Sequence, residues 1–407
     1  LGRNDRHSAD QQCPGTSYTK QGDFREDSYW ATLDLPSEVS KKWEGVAAAQ
    51  KADAKAEIIS RLDYYMNEPE ARFRVYDESG KVEEVAVDIS KMACGTNAVT
   101  IKAHGRDWRT TVTKLPYKQG AVQRNFFARC LEKDGEKILM ANHCFIVREI
   151  PAQKDGKYEI LSFLAKKGFK SVHLCTFIDR KNVEKAREMA EQAKALGMDV
   201  LLWTGDGDGK DFSLADTRKV LGGLDNVLSR IVCDEPELHF AGEYVKNFIQ
   251  SEKKHYPYCP VQMNNTVLGI PSRYADLRTD ILMLDDYLTN NEFRNVVSVV
   301  RHVDRMRRQK PGKPAWNFLV GMNPAHCRQP TYAEQTAQSW GWICGGGTGF
   351  SWYLEFPNVS PNLRAMKDIN REMQSLSDVI LSEEIAALTR LANERMWDEE
   401  LGLYCDL

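Results

Sequence analysis

The sequence predicts an α/β fold class, a (β/α)8 TIM barrel preceded by a small β-sandwich domain and an N-terminal helical segment. From residue 137 onward, a strand-like apolar run followed by a helical pattern recurs about eight times. Such an alternation over roughly 250 residues matches this barrel better than a doubly wound sheet. Upstream, short runs rich in Val, Thr and Phe are separated by turn residues, which is typical of a small sandwich.

The N-terminal segment, residues 1–67, begins with a polar and irregular stretch. Pro36 and Ser37 then open a stretch rich in Ala, Lys and Glu that continues to about Met66. Pro and Ser are frequent at the start of helices, and Ala, Lys and Glu are good helix formers. This stretch therefore predicts one or two helices.

Residues 68–136 form the predicted sandwich module. Turn sequences at 77–80 and 133–136 separate its strand-like runs. Because the runs are short and regularly spaced, we expect strands rather than helices. The predicted strands are 71–76, 82–88, 98–104, 108–114 and 125–131.

Residues 137–382 form the predicted barrel, and residues 383–407 a C-terminal helical tail. Gly168 and Gly197 follow two helical patterns, where a residue in the left-handed conformation would end each helix before the next strand. Helical patterns include 158–167, 183–196 and 293–308. Barrel strands 1 to 8 are predicted at 138–147, 170–176, 199–204, 227–234, 259–264, 280–287, 314–320 and 348–354.

Composition excludes several classes of function. With 55 basic and 58 acidic residues, the net charge of -3 argues against nucleic acid as a partner. No apolar stretch reaches the length of about 18 residues that a membrane span needs. Cys144, Cys175 and Cys233 fall within apolar runs, where a thiol behaves as a small buried hydrophobe. Because the chain has no Cys-x-x-Cys motif and no paired Cys/His spacing, we expect no metal site and no cofactor.

Chemistry in such a barrel takes place at the carboxyl ends of the strands, and acidic residues gather there. Asp234 and Glu235 end strand 4, and Asp285 and Asp286 lie at the end of strand 6. Cleavage of a glycosidic bond needs an acid for the leaving oxygen and a negative group for an oxocarbenium-like transition state, which two carboxyls supply. The alternative is that the strand 4 acids cap the strand and pair with Arg230 or with a neighbouring helix.

Aromatic and amide side chains at the same strand ends complete a carbohydrate-binding inventory. Indole and phenol rings offer apolar surfaces to the CH faces of a sugar, while amides and carboxylates bind its hydroxyls. Glu355, just after strand 8, is a further candidate for the second carboxylate. The predicted substrate-binding residues are Tyr287, Trp203, Asn264, Trp316, Trp352, His143 and Glu355.

The run Asp234-Glu235-Pro236-Glu237, with "HYPYCPVQMN", "DILMLDDYL" and "KPAWNFLV", resembles the barrel of bacterial glycoside hydrolases and glycoside-hydrolase-like proteins with an N-terminal β-sandwich. The resemblance continues through 328–353 and covers residues 138–380. It implies a carbohydrate substrate and an extracytoplasmic location, since the polymers such enzymes degrade lie outside the cytoplasm. It also implies that the sandwich serves as a packing platform or as a carbohydrate-binding domain.

The resemblance implies that Glu235 is the general acid/base. Retaining enzymes of the largest related clan carry Asn before that Glu and a nucleophilic Glu at the end of strand 7. Here Asp234 takes the place of the Asn, and strand 7 contains no acid. The adjacent Asp and Glu are instead similar to hexosaminidases that use the substrate's 2-acetamido group as nucleophile. In that scheme Asp234 orients the acetamide and Tyr287 assists.

Three alternatives stay open. In an inverting hydrolase, Asp285 or Asp286 activates water, with the two carboxyls roughly 6.5–9.5 Å apart. A catalytically silent carbohydrate-binding barrel would account for the missing acid in strand 7. The third alternative is a different barrel chemistry, such as a lyase or an isomerase.

Overall fold

The structure is a computed structural model whose N-terminal part consists of small antiparallel sheets. A three-stranded sheet contains β1 (Glu57–Ser60), β2 (Glu70–Tyr76) and β3 (Val82–Asp88), and β4 (Gly95–Ala103) pairs with β5 (Arg106–Lys114). Alternate residues of these strands point to one shared core. The residues described are 56–175, 180–203, 213–236, 242–266, 279–285, 299–300, 302–303, 306–307, 312–322, 330–354, 360–383, 397–398 and 403–404.

Strand β1 occupies part of the predicted N-terminal helical stretch. Ile58 and Ile59 are β-branched residues, which favour extended backbone, and they pair with Val75 and Arg74 of β2. The pairing of β1 with a neighbouring strand therefore overrides the local helix preference at these residues. The rest of the predicted helical stretch, up to residue 55, lies outside the described residues.

A third antiparallel sheet contains β6 (Val122–Asn125), β7 (Cys130–Lys133) and β8 (Glu136–Ile138). The prediction of one strand over 125–131 is wrong. The side-chain oxygen of Asn125 accepts hydrogen bonds from the backbone N–H groups of Phe127 (3.0 Å) and Ala128 (2.9 Å), so the chain turns there.

The predicted barrel is confirmed. Eight strands pair in parallel and close into a barrel, in which each strand neighbours the next one along the chain and the last pairs with the first. Barrel strands 1 to 8 are β9 (Met140–Ile146), β10 (Ser171–Cys175), β11 (Asp199–Trp203), β12 (Val227–Asp234), β13 (Val261–Thr266), β14 (Ile281–Asp285), β15 (Ala315–Met322) and β16 (Gly349–Leu354).

Helices follow most of the barrel strands. Gly168 (φ 86°) and Gly197 (φ 72°) adopt the left-handed conformation after α1 and α2, as the sequence predicts. Among the described residues, no helix is long and apolar enough to span a membrane. The helices are α1 (Glu159–Lys166), α2 (Arg180–Ala195), α3 (Leu214–Leu221), α4 (Gly242–His255), α5 (Tyr332–Cys344), α6 (Ser360–Ser375) and α7 (Ser377–Ile380).

Two short strands lie in the region of the predicted C-terminal helical tail. β17 (Trp397–Asp398) and β18 (Leu403–Tyr404) pair antiparallel, so the helix prediction is wrong at these residues. The residues of the tail between 384 and 396 lie outside the described residues.

The third sheet contacts the amino-terminal end of the barrel. The N–H of Val122 donates to the carbonyl of Tyr258, just before strand 5, and Lys133 forms an ion pair (2.6 Å) with Asp199, the first residue of strand 3. This packing leaves the carboxyl ends of the strands at the opposite end. The side chains of the barrel interior, called the interior cluster below, are Val122, Leu131, Met140, Cys144, Cys175, Leu201, Leu228, Ile281, Met283, Trp316 and Phe318.

Candidate active site

Two carboxylates lie at the carboxyl edge of the barrel, as the sequence predicts. Asp234 is the last residue of strand 4 and Asp285 the last residue of strand 6, and both are half-buried. Burial, the nearby Asp285 carboxylate and, more weakly, Asp234 raise the pKa of the Tyr353 phenol on strand 8. Since both residues end their strands in one closed parallel barrel, their carboxylates lie at the same edge, at the mouth of the barrel.

Asn264 of strand 5 holds the end of strand 4 in place. Its Nδ2 donates a hydrogen bond of 2.8 Å to Oδ1 of Asp234. Its backbone carbonyl accepts a hydrogen bond of 2.9 Å from the N–H of Glu235. Asn264 is almost fully buried, so these contacts are shielded from competing water. One residue therefore orients both members of the acidic pair.

The backbone of Glu235 adopts the left-handed conformation, with φ at 41°. Few residues other than Gly adopt this conformation, because Cβ crowds the backbone there. Such conformations cluster at functional sites, where the surrounding structure holds them in place. Here the hydrogen bond to Asn264 and the parallel strand 5 hold the turn. Glu235 thereby leaves the alternation of strand 4 directly after Asp234.

Arg230 does not pair with the strand 4 acids, so that part of the structural alternative is wrong, and pairing with a neighbouring helix stays a prediction. Its guanidinium lies 3.5 Å from the ring centroid of Tyr256 and donates a hydrogen bond to the carbonyl of Leu221. It thus contacts the residues that precede strands 4 and 5, rather than the carboxyl edge of the barrel.

Trp203 is the only one of the three predicted tryptophans that lies at the carboxyl end of a described strand. It is the last residue of strand 3, is half-buried and packs against the interior cluster. An indole at this position can contact a ligand in the mouth of the barrel.

Trp316 lies at the opposite end of the barrel from the carboxylates. It is the second residue of strand 7 and is fully buried. A Cβ on Gly349, the first residue of strand 8, would come within 2.7 Å of its indole nitrogen, so the glycine makes room for this ring. The expectation that Trp316 reaches the cleft is corrected by this placement, because the indole fills the amino-terminal half of the barrel.

Trp352 and His143 point away from the barrel interior. Trp352 packs edge-to-face against Phe169 and Phe350 in the core between the barrel and the helices. His143 is fully buried and stacks on Phe145, which belongs to the same outer core. Successive side chains of a strand alternate between its two faces, so their neighbours Tyr353 and Cys144 face inward instead. This placement corrects the expectation that Trp352 and His143 line the site.

Three predicted site residues, Asp286, Tyr287 and Glu355, lie outside the described residues. Other side chains that face the barrel interior are not among the predicted site residues. Tyr353 is not among the predicted site residues, yet it faces the interior, because side chains alternate along strand 8 and its neighbour Trp352 lies in the outer core. Cys144 and Cys175, predicted as small buried hydrophobes, lie together with His173 inside the barrel.

Replacing Asn264 by Ala is expected to lower kcat about 10²-fold with little change in KM. The reason is that Asp234 loses the amide that orients it, and a small misplacement of a reacting group has a large effect on rate. The measurement is steady-state kinetics on a substrate that the wild-type protein turns over. Asn370→Ala, which removes a buried amide that donates to the carbonyl of Gly168, is the matched control and should keep kcat. An unchanged kcat in Asn264→Ala would contradict a positioning role.

Fold and site together define a (β/α)8 barrel with acidic residues at the carboxyl ends of its strands. No protein-family model matches the sequence, and no curated protein matches it. Solved structures with a similar fold include a protein from Bacteroides vulgatus, assigned provisionally to the glycoside hydrolases. It has 11% identity and a TM-score of 0.47, over 80% of this chain and 75% of that chain.

Two further solved structures match the barrel. The endo-1,4-β-mannanase from Rhizomucor miehei has 6% identity and a TM-score of 0.43, over 60% of this chain and 98% of that chain. The catalytic domain of a chitinase from Pyrococcus furiosus has 10% identity and a TM-score of 0.43, over 58% of this chain and 96% of that chain.

Proposed function

We propose that the protein is a glycoside hydrolase with Glu235 as general acid/base and Asp234 assisting it. The observation that carries the proposal is that Asp234 ends strand 4 and Asp285 ends strand 6 of the closed barrel, so both carboxylates lie at the same edge. The strained backbone of Glu235 and its hydrogen bond to Asn264 support a role for the residue that follows Asp234. Trp203 supplies an aromatic surface at the same edge.

The adjacent Asp234 and Glu235 favour a route in which the acetamido group of the substrate acts as the nucleophile. The acetamido oxygen of the substrate attacks the anomeric carbon while the Glu235 carboxyl gives its proton to the glycosidic oxygen, which leaves. Asp234 stabilises the positive charge of the oxazolinium-like ion. Water then attacks the same carbon and gives a proton to the Glu235 carboxylate. The bond from that carbon to the acetamido oxygen breaks and the acetamide is restored, so the sugar leaves with its configuration retained. The hydrogen bond from Asn264 holds Asp234 for this step.

Inversion is the second route, and the position of Asp285 supports it. A carboxylate on strand 6 can activate water on the face of the sugar ring opposite to the leaving group. Glu235 then acts only as an acid, and the product has the opposite anomeric configuration. Strand 7, residues Ala315–Met322, carries no acid, so neither route uses a nucleophile from that strand.

Turnover of a panel of aryl glycosides that includes N-acetylhexosaminides tests the proposal. The anomer of the first product, followed by NMR, separates the two routes. Retention restricted to acetamido sugars supports assistance by Asp234, and inversion assigns the second role to strand 6. Saturable binding of oligosaccharides without turnover of any panel member or polysaccharide would contradict hydrolysis and support a silent carbohydrate-binding barrel.

A further inference from the structure

Two thiols and one imidazole meet inside the barrel, beneath the proposed active site. Cys144 lies on strand 1, and His173 and Cys175 lie two residues apart on the same face of strand 2. The two Sγ atoms are 3.2 Å apart, and Sγ of Cys175 lies 3.9 Å from Nε2 of His173. The ligand atoms of all three side chains lie within 4.8 Å of one another. Three donors of the kind that bind soft metals therefore converge on one point.

The surroundings of these side chains fix their positions. Cys144 and His173 are fully buried, and Cys175 is nearly so. The two cysteines pack within the interior cluster, and the imidazole of His173 stacks on Phe318 from strand 7 at 5.1 Å. Pairing of the two strands keeps these side chains close together, and a small rotation of a side chain suffices to adjust the distance between the donors.

A bound ion would itself set the protonation of the two thiols. A divalent cation would remove both thiol protons, because a coordinating thiol is deprotonated.

We propose that Cys144, His173 and Cys175 bind a zinc ion inside the barrel. Thiolate and imidazole are the ligands that zinc takes in proteins. Two thiolates and a neutral imidazole cancel the charge of the ion, which keeps the desolvation penalty of a buried charge small. With Zn–S bonds of about 2.3 Å, tetrahedral geometry places two sulfurs about 3.8 Å apart. The sulfurs of Cys144 and Cys175 therefore need to separate only slightly to accept the ion.

Three protein ligands leave a fourth position, as in zinc sites that keep an exchangeable ligand. A water molecule can take the fourth position. The site does not depend on the proposed glycosidase activity, since zinc binding is measured in the absence of any sugar.

Metal titration of the full-length, reduced protein tests the inference. The thiols are reduced with a phosphine under metal-free conditions, and zinc is then titrated against a chromophoric chelator. We expect one zinc ion per chain, and cobalt(II) in its place should give a thiolate-to-cobalt charge-transfer band in the near ultraviolet. Cys144→Ser, Cys175→Ser and His173→Gln should each weaken zinc binding by more than about 100-fold, since they remove a ligand. Cys130→Ser, at a buried thiol outside the cluster, should bind zinc as the wild type does.

If the variants do not fold, the cobalt spectrum of the wild-type protein still tests whether the cysteines bind a metal ion. Folded, reduced wild-type protein that takes up no zinc and shows no charge-transfer band would overturn the inference. The same holds for a Cys144→Ser/Cys175→Ser double variant that retains full zinc affinity. A Cys144–Cys175 disulfide in air, with no zinc uptake after reduction, would identify the pair as a redox couple instead.

Discussion

Glu235→Gln is expected to lower kcat by about 10²- to 10⁴-fold on glycosides with poor leaving groups, and far less on those with acidic phenols. A glutamine cannot donate a proton, and protonation of the leaving oxygen contributes rate enhancement of this size. An acidic phenol leaves without that proton, so its departure depends less on Glu235. The measurement is the dependence of kcat on the pKa of the leaving group in the wild type and in the variant.

Glu159→Gln is the matched control for this variant. Glu159 lies in the first turn of α1, and its side chain is 72% exposed and pairs with Lys154. The Glu159→Gln variant should therefore have the kcat of the wild type on every substrate. A uniform loss across leaving groups in Glu235→Gln would contradict the role of general acid and would point to Asp285 or to a residue outside the described part of the chain.

Arg124→Ala is expected to lower the free energy of unfolding by about 3 kcal/mol, because it removes one partner of a largely buried ion-pair network. Nε of Arg124 donates to Asp63 at 2.9 Å, and Nη2 lies 3.3 Å from Oδ1 of Asp280. The side chain is only 13% exposed, and its guanidinium lies 4.6 Å from the ring centroid of Phe126. Without it, the carboxylates of Asp63 and Asp280 lose a shared cation. Urea unfolding followed by circular dichroism measures the change.

Two control variants make this result specific. Arg124→Lys keeps the positive charge but loses the planar guanidinium that binds Asp63. It should therefore lower the free energy of unfolding less than Arg124→Ala does. Lys194→Ala removes an exposed ion pair with Asp225 and should hardly change stability, because surface pairs contribute little. Equal effects of Arg124→Ala and Lys194→Ala would show that the network does not join the N-terminal sheets to the barrel.

Asp280 connects this network to the candidate site. It lies directly before strand 6, whose other end carries Asp285. Its carboxylate also accepts the N–H of Val261 at 2.8 Å, at the start of strand 5, and pairs with Lys253 of α4. The N-terminal sheets therefore contact the amino ends of the same two strands that position Asn264 and Asp285. This arrangement supports the role of packing platform for the N-terminal module.

The order of elements could be predicted from the sequence because it depends on local patterns. Apolar runs of strand length, helical patterns and the glycines at 168 and 197 are properties of neighbouring residues, and each barrel strand was found within a few residues of its actual position. The acids that follow strands 4 and 6 were found by the same reasoning, since their place depends only on where a strand ends. Local patterns failed at Asn125, where a side chain turns the chain, and at Ile58, where pairing with β2 selects a strand.

The sequence by itself determines the barrel and the candidate carboxylates, whereas side-chain orientation and long-range neighbours depend on how the strands close. Trp352 and Tyr353 are adjacent in the sequence, yet one lies in the outer core and the other faces the barrel interior, because a shift of one residue reverses the face of a strand. Cys144 and Cys175 are 31 residues apart, so no spacing rule joins them. Their thiols meet because strands 1 and 2 pair in parallel in a fixed register, which only the folded chain establishes.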